Sequence, residues 1–89
     1  MLSVIIIHEV EDVGRWLASS VKAEMAAKYG LTFREYVDAA GSKLVGAYLE
    51  VPNIDFILKF FNSPDNKAAM KIDGIRPETL RLLIAPQAL

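Results

Sequence analysis

The chain has 89 residues, the size of one small domain, with 53% apolar residues and a formal net charge of −1. That balance gives a nucleic-acid backbone no electrostatic reason to bind. With no cysteine, disulfides, thiolate nucleophiles and thiolate metal sites are excluded together, and the single histidine, His8, cannot build a metal centre without carboxylate help.

Leu2 to Glu9 is β-branched and almost continuously apolar, the pattern of a central strand. The apolar stretch Val4 to Ile7 has no basic leader and soon meets His8, Glu9, Glu11 and Asp12. It is too short for a signal core or a membrane span, so a soluble, cytoplasmic protein is expected. Asp12 then caps a helix whose stripe is Val13, Trp16, Leu17, Val21 and Met25, and Gly30 stops it in the left-handed conformation.

Two alternating runs follow. Leu31 to Ala39 places Leu31, Phe33, Val37 and Ala39 on one side, with Glu35 as the exception, and Lys43 to Val51 places Val45, Ala47, Leu49 and Val51 on one side. Only an odd hairpin loop keeps the two patterns together, setting Val37 opposite Val45, Phe33 opposite Leu49, Tyr36 opposite Gly46 and Arg34 opposite Tyr48. A loop of about three or five residues with Gly41 at positive φ meets that need. After Pro52, Asn53 caps a helix bearing Ile54, Ile57, Leu58 and Phe61. Ser63-Pro64 starts another helix that ends at Ile72, before Gly74. Thr79 to Ala85 alternates as a last strand.

Strand, helix, strand, strand, helix, strand with right-handed crossovers predicts an α+β, ferredoxin-like βαββαβ fold over residues 1–89. Its four-stranded antiparallel sheet has the order 4-1-3-2, with helices on one face. The uncovered face is expected to hold Val4, Ile6, His8, Arg34, Tyr36, Gly46, Tyr48, Glu50, Arg81 and Leu83. So apolar a face on so small a domain predicts a homodimer. RNA-recognition domains share this topology, but Gly46 stands where a stacking aromatic belongs and the first strand offers only aliphatics, so nucleic acid is not expected.

The run His8-Glu9-Val10-Glu11-Asp12 followed by Trp16, with the later Phe60-Phe61-Asn62-Ser63-Pro64-Asp65 break between helices, resembles the dimeric α+β barrel superfamily over essentially the whole chain. Within it, the chain resembles small uncharacterised members and antibiotic-biosynthesis-monooxygenase-like proteins. It implies two sheets packed face to face into a barrel, with a small aromatic or polyketide-like ligand and no cofactor. The chemistry it implies is cofactor-independent oxygenation or isomerisation. Haem-degrading members carry their histidine on a helix, whereas His8 lies on a strand, and Trp16 matches them in type only.

On the expected faces, Gly46 leaves a hollow between His8 and Tyr36. His8 is then the candidate general base, Tyr36 or Tyr48 a donor to a substrate oxygen, and Arg34 or Arg81 an anchor for an anion. Trp16 is a core residue that also offers ligand contact. No metal site and no nucleotide-binding glycine motif appears in the sequence. The competing reading, from another class, is a non-catalytic interaction or stress-response protein that uses the same dimer without a ligand, with His8 a surface or interface residue.

Overall fold

In the computed structural model, which describes residues 1–86, the β-branched amino-terminal run forms β1 (Leu2–Glu9). It is followed by α1 (Val13–Ala18), α2 (Ser20–Tyr29), β2 (Thr32–Val37), β3 (Leu44–Val51), α3 (Ile54–Asn62), α4 (Pro64–Ile72), a 3₁₀ turn (Pro77–Thr79) and β4 (Arg81–Ile84). The sheet order is β2-β3-β1-β4, which is the expected 4-1-3-2 read from the other edge, and every neighbouring pair is antiparallel. The β2–β3 register is the expected one, with Val37 opposite Val45, Tyr36 opposite Gly46, Arg34 opposite Tyr48 and Phe33 opposite Leu49. No helix among the described residues is long and apolar enough to cross a membrane.

Local polar chemistry shifts three boundaries. Asp38 ends β2 early: its Oδ1 accepts from the Ala40 N–H at 2.9 Å, its Oδ2 from the Ser42 hydroxyl, and its carbonyl from Gly41 N–H at 2.9 Å. These bonds offer the backbone a turn in place of the ladder, so residues 38–43 all lie between the strands and the loop is longer than expected. Gly41 does take a positive φ, +80°. Ser19 divides the first helix: it adopts an extended ψ of 128°, and its hydroxyl accepts from Val21 N–H at 3.2 Å to start α2. Thr79 belongs to the turn before β4, because its hydroxyl accepts from Glu9 N–H at 2.9 Å and donates to the Arg76 carbonyl at 2.7 Å.

The helix signals otherwise act where the residues place them. Asp12 Oδ1 accepts from Arg15 N–H, Asn53 Oδ1 from Phe56 N–H and Ser63 Oγ from Asn66 N–H. At Gly30 the backbone turns to φ +66° and Leu31 N–H closes back on the Ala26 carbonyl at 2.8 Å, the glycine-dependent stop of α2.

The largest correction concerns β1. Val4, Ile6 and His8 point toward the helices, not away from them; Val4 is fully buried and Ile6 and His8 nearly so. The register explains it: Val4 sits opposite Leu49, Ile6 opposite Ala47 and His8 opposite Val45, and directly paired residues share a face. The alternative phase of β1 is Ser3, Ile5, Ile7 and Glu9, which would bury two polar residues in place of one. The open face therefore carries Ile5 and Ile7 in place of Val4, Ile6 and His8. Ile5, Tyr36, Leu44 and Leu83 are exposed on it.

On the covered face, Val4, Ile6, Leu49, Val51 and Ile57 form the main core. A second cluster of Val10, Trp16 and Val45 closes the end of the sheet where β1 stops. Leu17, expected in the same stripe as Trp16, is left exposed.

Candidate functional site

Between these clusters, the sheet and helices form a half-open pocket of about 110 Å³. Its wall is largely apolar: Phe33 and Leu49 come from the sheet, and Phe60, Phe61 and Met70 from α3 and α4. Four ionisable or polar side chains also reach it, namely His8 from β1, Lys22 from α2, Asn66 from α4 and Asp73 just beyond α4.

His8 and Trp16 are brought together. Their rings meet edge to face with centroids 5.8 Å apart at 79°. Lys22 Nζ lies 3.6 Å from the centroid of the Trp16 ring, donates to the Trp16 carbonyl and pairs with Glu35. Glu35, the one polar break in the inward phase of β2, thus has its counter-ion in Lys22. Asn66 is buried and its Nδ2 donates to the Phe61 carbonyl at 3.4 Å.

His8 and Asp73 are different, for each keeps a buried atom without a hydrogen-bond partner, Nδ1 in His8 and Oδ1 in Asp73. Burial pushes the His8 imidazole below its usual value; the Glu9 backbone opposes that shift, the Lys22 ammonium adds to it and Asp73 partly offsets it. The ring is consequently neutral at pH 7 and able to accept a proton. Asp73 is 2% exposed and caps the carboxyl end of α4.

The remaining expected site residues lie on the other side of the sheet. Tyr36 is exposed, so His8 and Tyr36, expected to act together, are separated by the β-layer. The hollow at Gly46 exists on that open side, where an added Cβ would lie 3.6 Å from Ile7 Cγ2 and 3.9 Å from Tyr36 Cβ, both ordinary contacts. Tyr48 hydroxyl donates to Glu50 at 3.2 Å and lies 3.1 Å from Ser3 Oγ. Arg34 shares a groove with Tyr36, Tyr48 and Glu50, and Arg81 is exposed with its guanidinium on the Leu80 carbonyl. None of Arg34, Tyr36, Gly46, Tyr48 or Arg81 lines the cavity shared by His8 and Trp16.

Sequence reasoning missed Lys22 and Asp73. The available signal for Asp73 was an acid immediately before the Gly74 stop, where helix ends favour bases.

No protein-family model matches the chain, and no curated protein matches it. Among solved structures, one described as the crystal structure of antibiotic biosynthesis monooxygenase matches with a TM-score of 0.66 and 13% identity, covering 96% of each chain. At that identity the likeness speaks of architecture: this chain has the ferredoxin-like α+β fold of that monooxygenase structure, a four-stranded antiparallel sheet with its helices on one face.

Proposed function

We propose that the chain works as a homodimer joined through its open sheet faces, and that each copy binds and transforms a small apolar molecule in the inner cavity. The observation that carries this is the presence of two buried, incompletely bonded groups, His8 and Asp73, in a largely apolar pocket whose other polar side chains, Lys22 and Asn66, are paired. Buried polar atoms are normally paired, and exceptions concentrate where function requires them.

In this reading His8 is the base and takes a proton from carbon or oxygen of the ligand. Trp16 fixes the imidazole plane by its edge-to-face contact. Isomerisation returns the proton to a different carbon of the same molecule. Oxygenation requires dioxygen as co-reactant: it takes the electron pair left on carbon, so a methylene and dioxygen yield a carbonyl and water. The likeness to a structure described as a monooxygenase favours the second outcome. At about 110 Å³ the pocket is smaller than the about 150 Å³ apolar cavity that holds benzene, so a single ring is the upper limit and enters only with a small shift of the lining side chains. A fused polyketide would require the helices to move.

Pairing of open faces is supported by Ile5, Tyr36, Leu44 and Leu83, which would otherwise leave an apolar patch in water. Sedimentation at micromolar concentration tests the dimer, with a single-chain mass as the contrary result. A thermal-shift series of single-ring compounds tests the cavity. A compound at a hundred times its Kd should stabilise the fold by about 2.7 kcal/mol. His8→Gln should keep that shift while abolishing turnover; full turnover by the variant removes His8 from the reaction.

A further inference from the structure

The cavity's polar groups are not equivalent, and the difference specifies what the ligand must carry. Lys22 is committed: its ammonium serves Glu35 and the Trp16 carbonyl and lies on the Trp16 ring. Asn66 is committed to the Phe61 carbonyl. Asp73 is not, since its Oδ1 has no partner and the side chain takes part in none of the ion pairs among the described residues. It is a nearly fully buried acceptor just beyond α4, and it lines the same pocket as His8.

We infer that Asp73 is the specificity-determining residue of this cavity, and that it selects a single-ring ligand bearing a hydroxyl or amino hydrogen-bond donor while rejecting carboxylates. This rests on the ligand-binding reading of the cavity given above. An O–H or N–H presented to Asp73 satisfies the orphaned oxygen with a charge-assisted bond, among the stronger kinds available. A carboxylate ligand would meet the Asp73 charge with no free cation to offset it, because Lys22 is already neutralised by Glu35. The aromatic wall of Phe33, Phe60 and Phe61 holds the ring, and Asp73 sets which edge turns toward His8.

Phenol, toluene and benzoate are matched probes, and Trp16, the only tryptophan, reports their entry by fluorescence. Phenol should bind the wild-type protein about tenfold more tightly than toluene, the discrimination expected of one hydrogen bond to a charged group. Benzoate should bind more weakly than toluene. In Asp73→Leu the phenol preference should vanish while toluene still binds, which also shows that the chamber persists. Equal binding of phenol and toluene to the wild type, as expected if water alone serves Asp73, would overturn the inference and leave the binding reading standing. So would benzoate as the tightest ligand, or a phenol preference that survives Asp73→Leu. Should none of the three bind, the cavity reading falls along with it. The wild-type series decides the matter even if the leucine variant does not fold.

Discussion

The two faces of the sheet are similar in apolar character and opposite in chemistry. The open face exposes Ile5, Tyr36, Leu44 and Leu83, with its charged residues, Arg34, Glu50 and Arg81, in contact with water. The covered face holds its ionisable groups inside: His8, Lys22, Glu35 and Asp73 sit under or beside helices, partly or fully withdrawn from solvent. Water screens a surface charge and leaves it little influence, whereas a buried one has its proton affinity and partners dictated by neighbours. The proposed function accordingly assigns association to the open face and chemistry to the covered one.

The strongest way to break that contrast is to empty the covered face. Trp16→Ala should destabilise the fold by about 3–5 kcal/mol, because the largest fully buried side chain is removed and its neighbours cannot close the space. Urea denaturation measures this, and a loss under 1 kcal/mol would mean that the second core cluster is not packed as described.

The complementary change targets the open face. Ile5→Lys combined with Leu83→Lys places two charges on paired neighbours, since Ile5 stands opposite Leu83 across β1 and β4. Dissociation of the proposed dimer should become at least a hundredfold easier, about 2.8 kcal/mol. The isolated fold should lose about 1–2 kcal/mol, because the two like charges stand directly opposite each other and replace half-buried apolar side chains. Sedimentation and circular dichroism separate the two effects. A double variant that remains dimeric rules out these residues as the contact.

These contrasts also show which parts of the molecule were legible in its sequence. The β2–β3 register could be read because one phase of each strand is clearly more apolar, and only one pairing keeps the phases together. β1 was not legible in the same way: Val4 and Ile6 in one phase balance Ile5 and Ile7 in the other. The deciding difference lay at the ends, one histidine against a serine and a glutamate. Misplacing that phase put His8 beside Tyr36 and moved the whole proposed site through the sheet. Capping residues were legible because their chemistry is local, as at Asp12, Gly30, Asn53 and Ser63. Asp38 and Ser19 act locally too, but their effect was to interrupt alternating or helical patterns that looked continuous. The Lys22–Glu35 pair and the orphaned Asp73 depend on tertiary placement, which no periodicity reports.

Gly30 offers a smaller test, on the helix that delivers Lys22. It occupies φ +66° with open space around a would-be Cβ, so Gly30→Ala isolates backbone strain from crowding. The expected loss is about 1–2 kcal/mol, read by thermal denaturation. An unchanged Tm would show that the stop of α2 relaxes without cost.

The finest distinction between the faces is their response to acid. His8 has a folded-state pKa below its ordinary value, so between the two values the unfolded chain binds more protons than the folded one. Stability is therefore complete above about pH 6.5 and declines as the pH falls through the lowered folded value. The slope cannot exceed about 1.36 kcal/mol per pH unit for one group. Asp38 and Asp65, held low by Ser42 and Lys28 respectively, carry the same sign but act only when the pH falls through the carboxylate range. His8→Gln should consequently flatten the stability profile just below neutrality and leave the steeper acid limb intact. If instead the wild-type profile is flat there, the imidazole is not withdrawn from water, and its proposed role as a neutral base loses its physical footing.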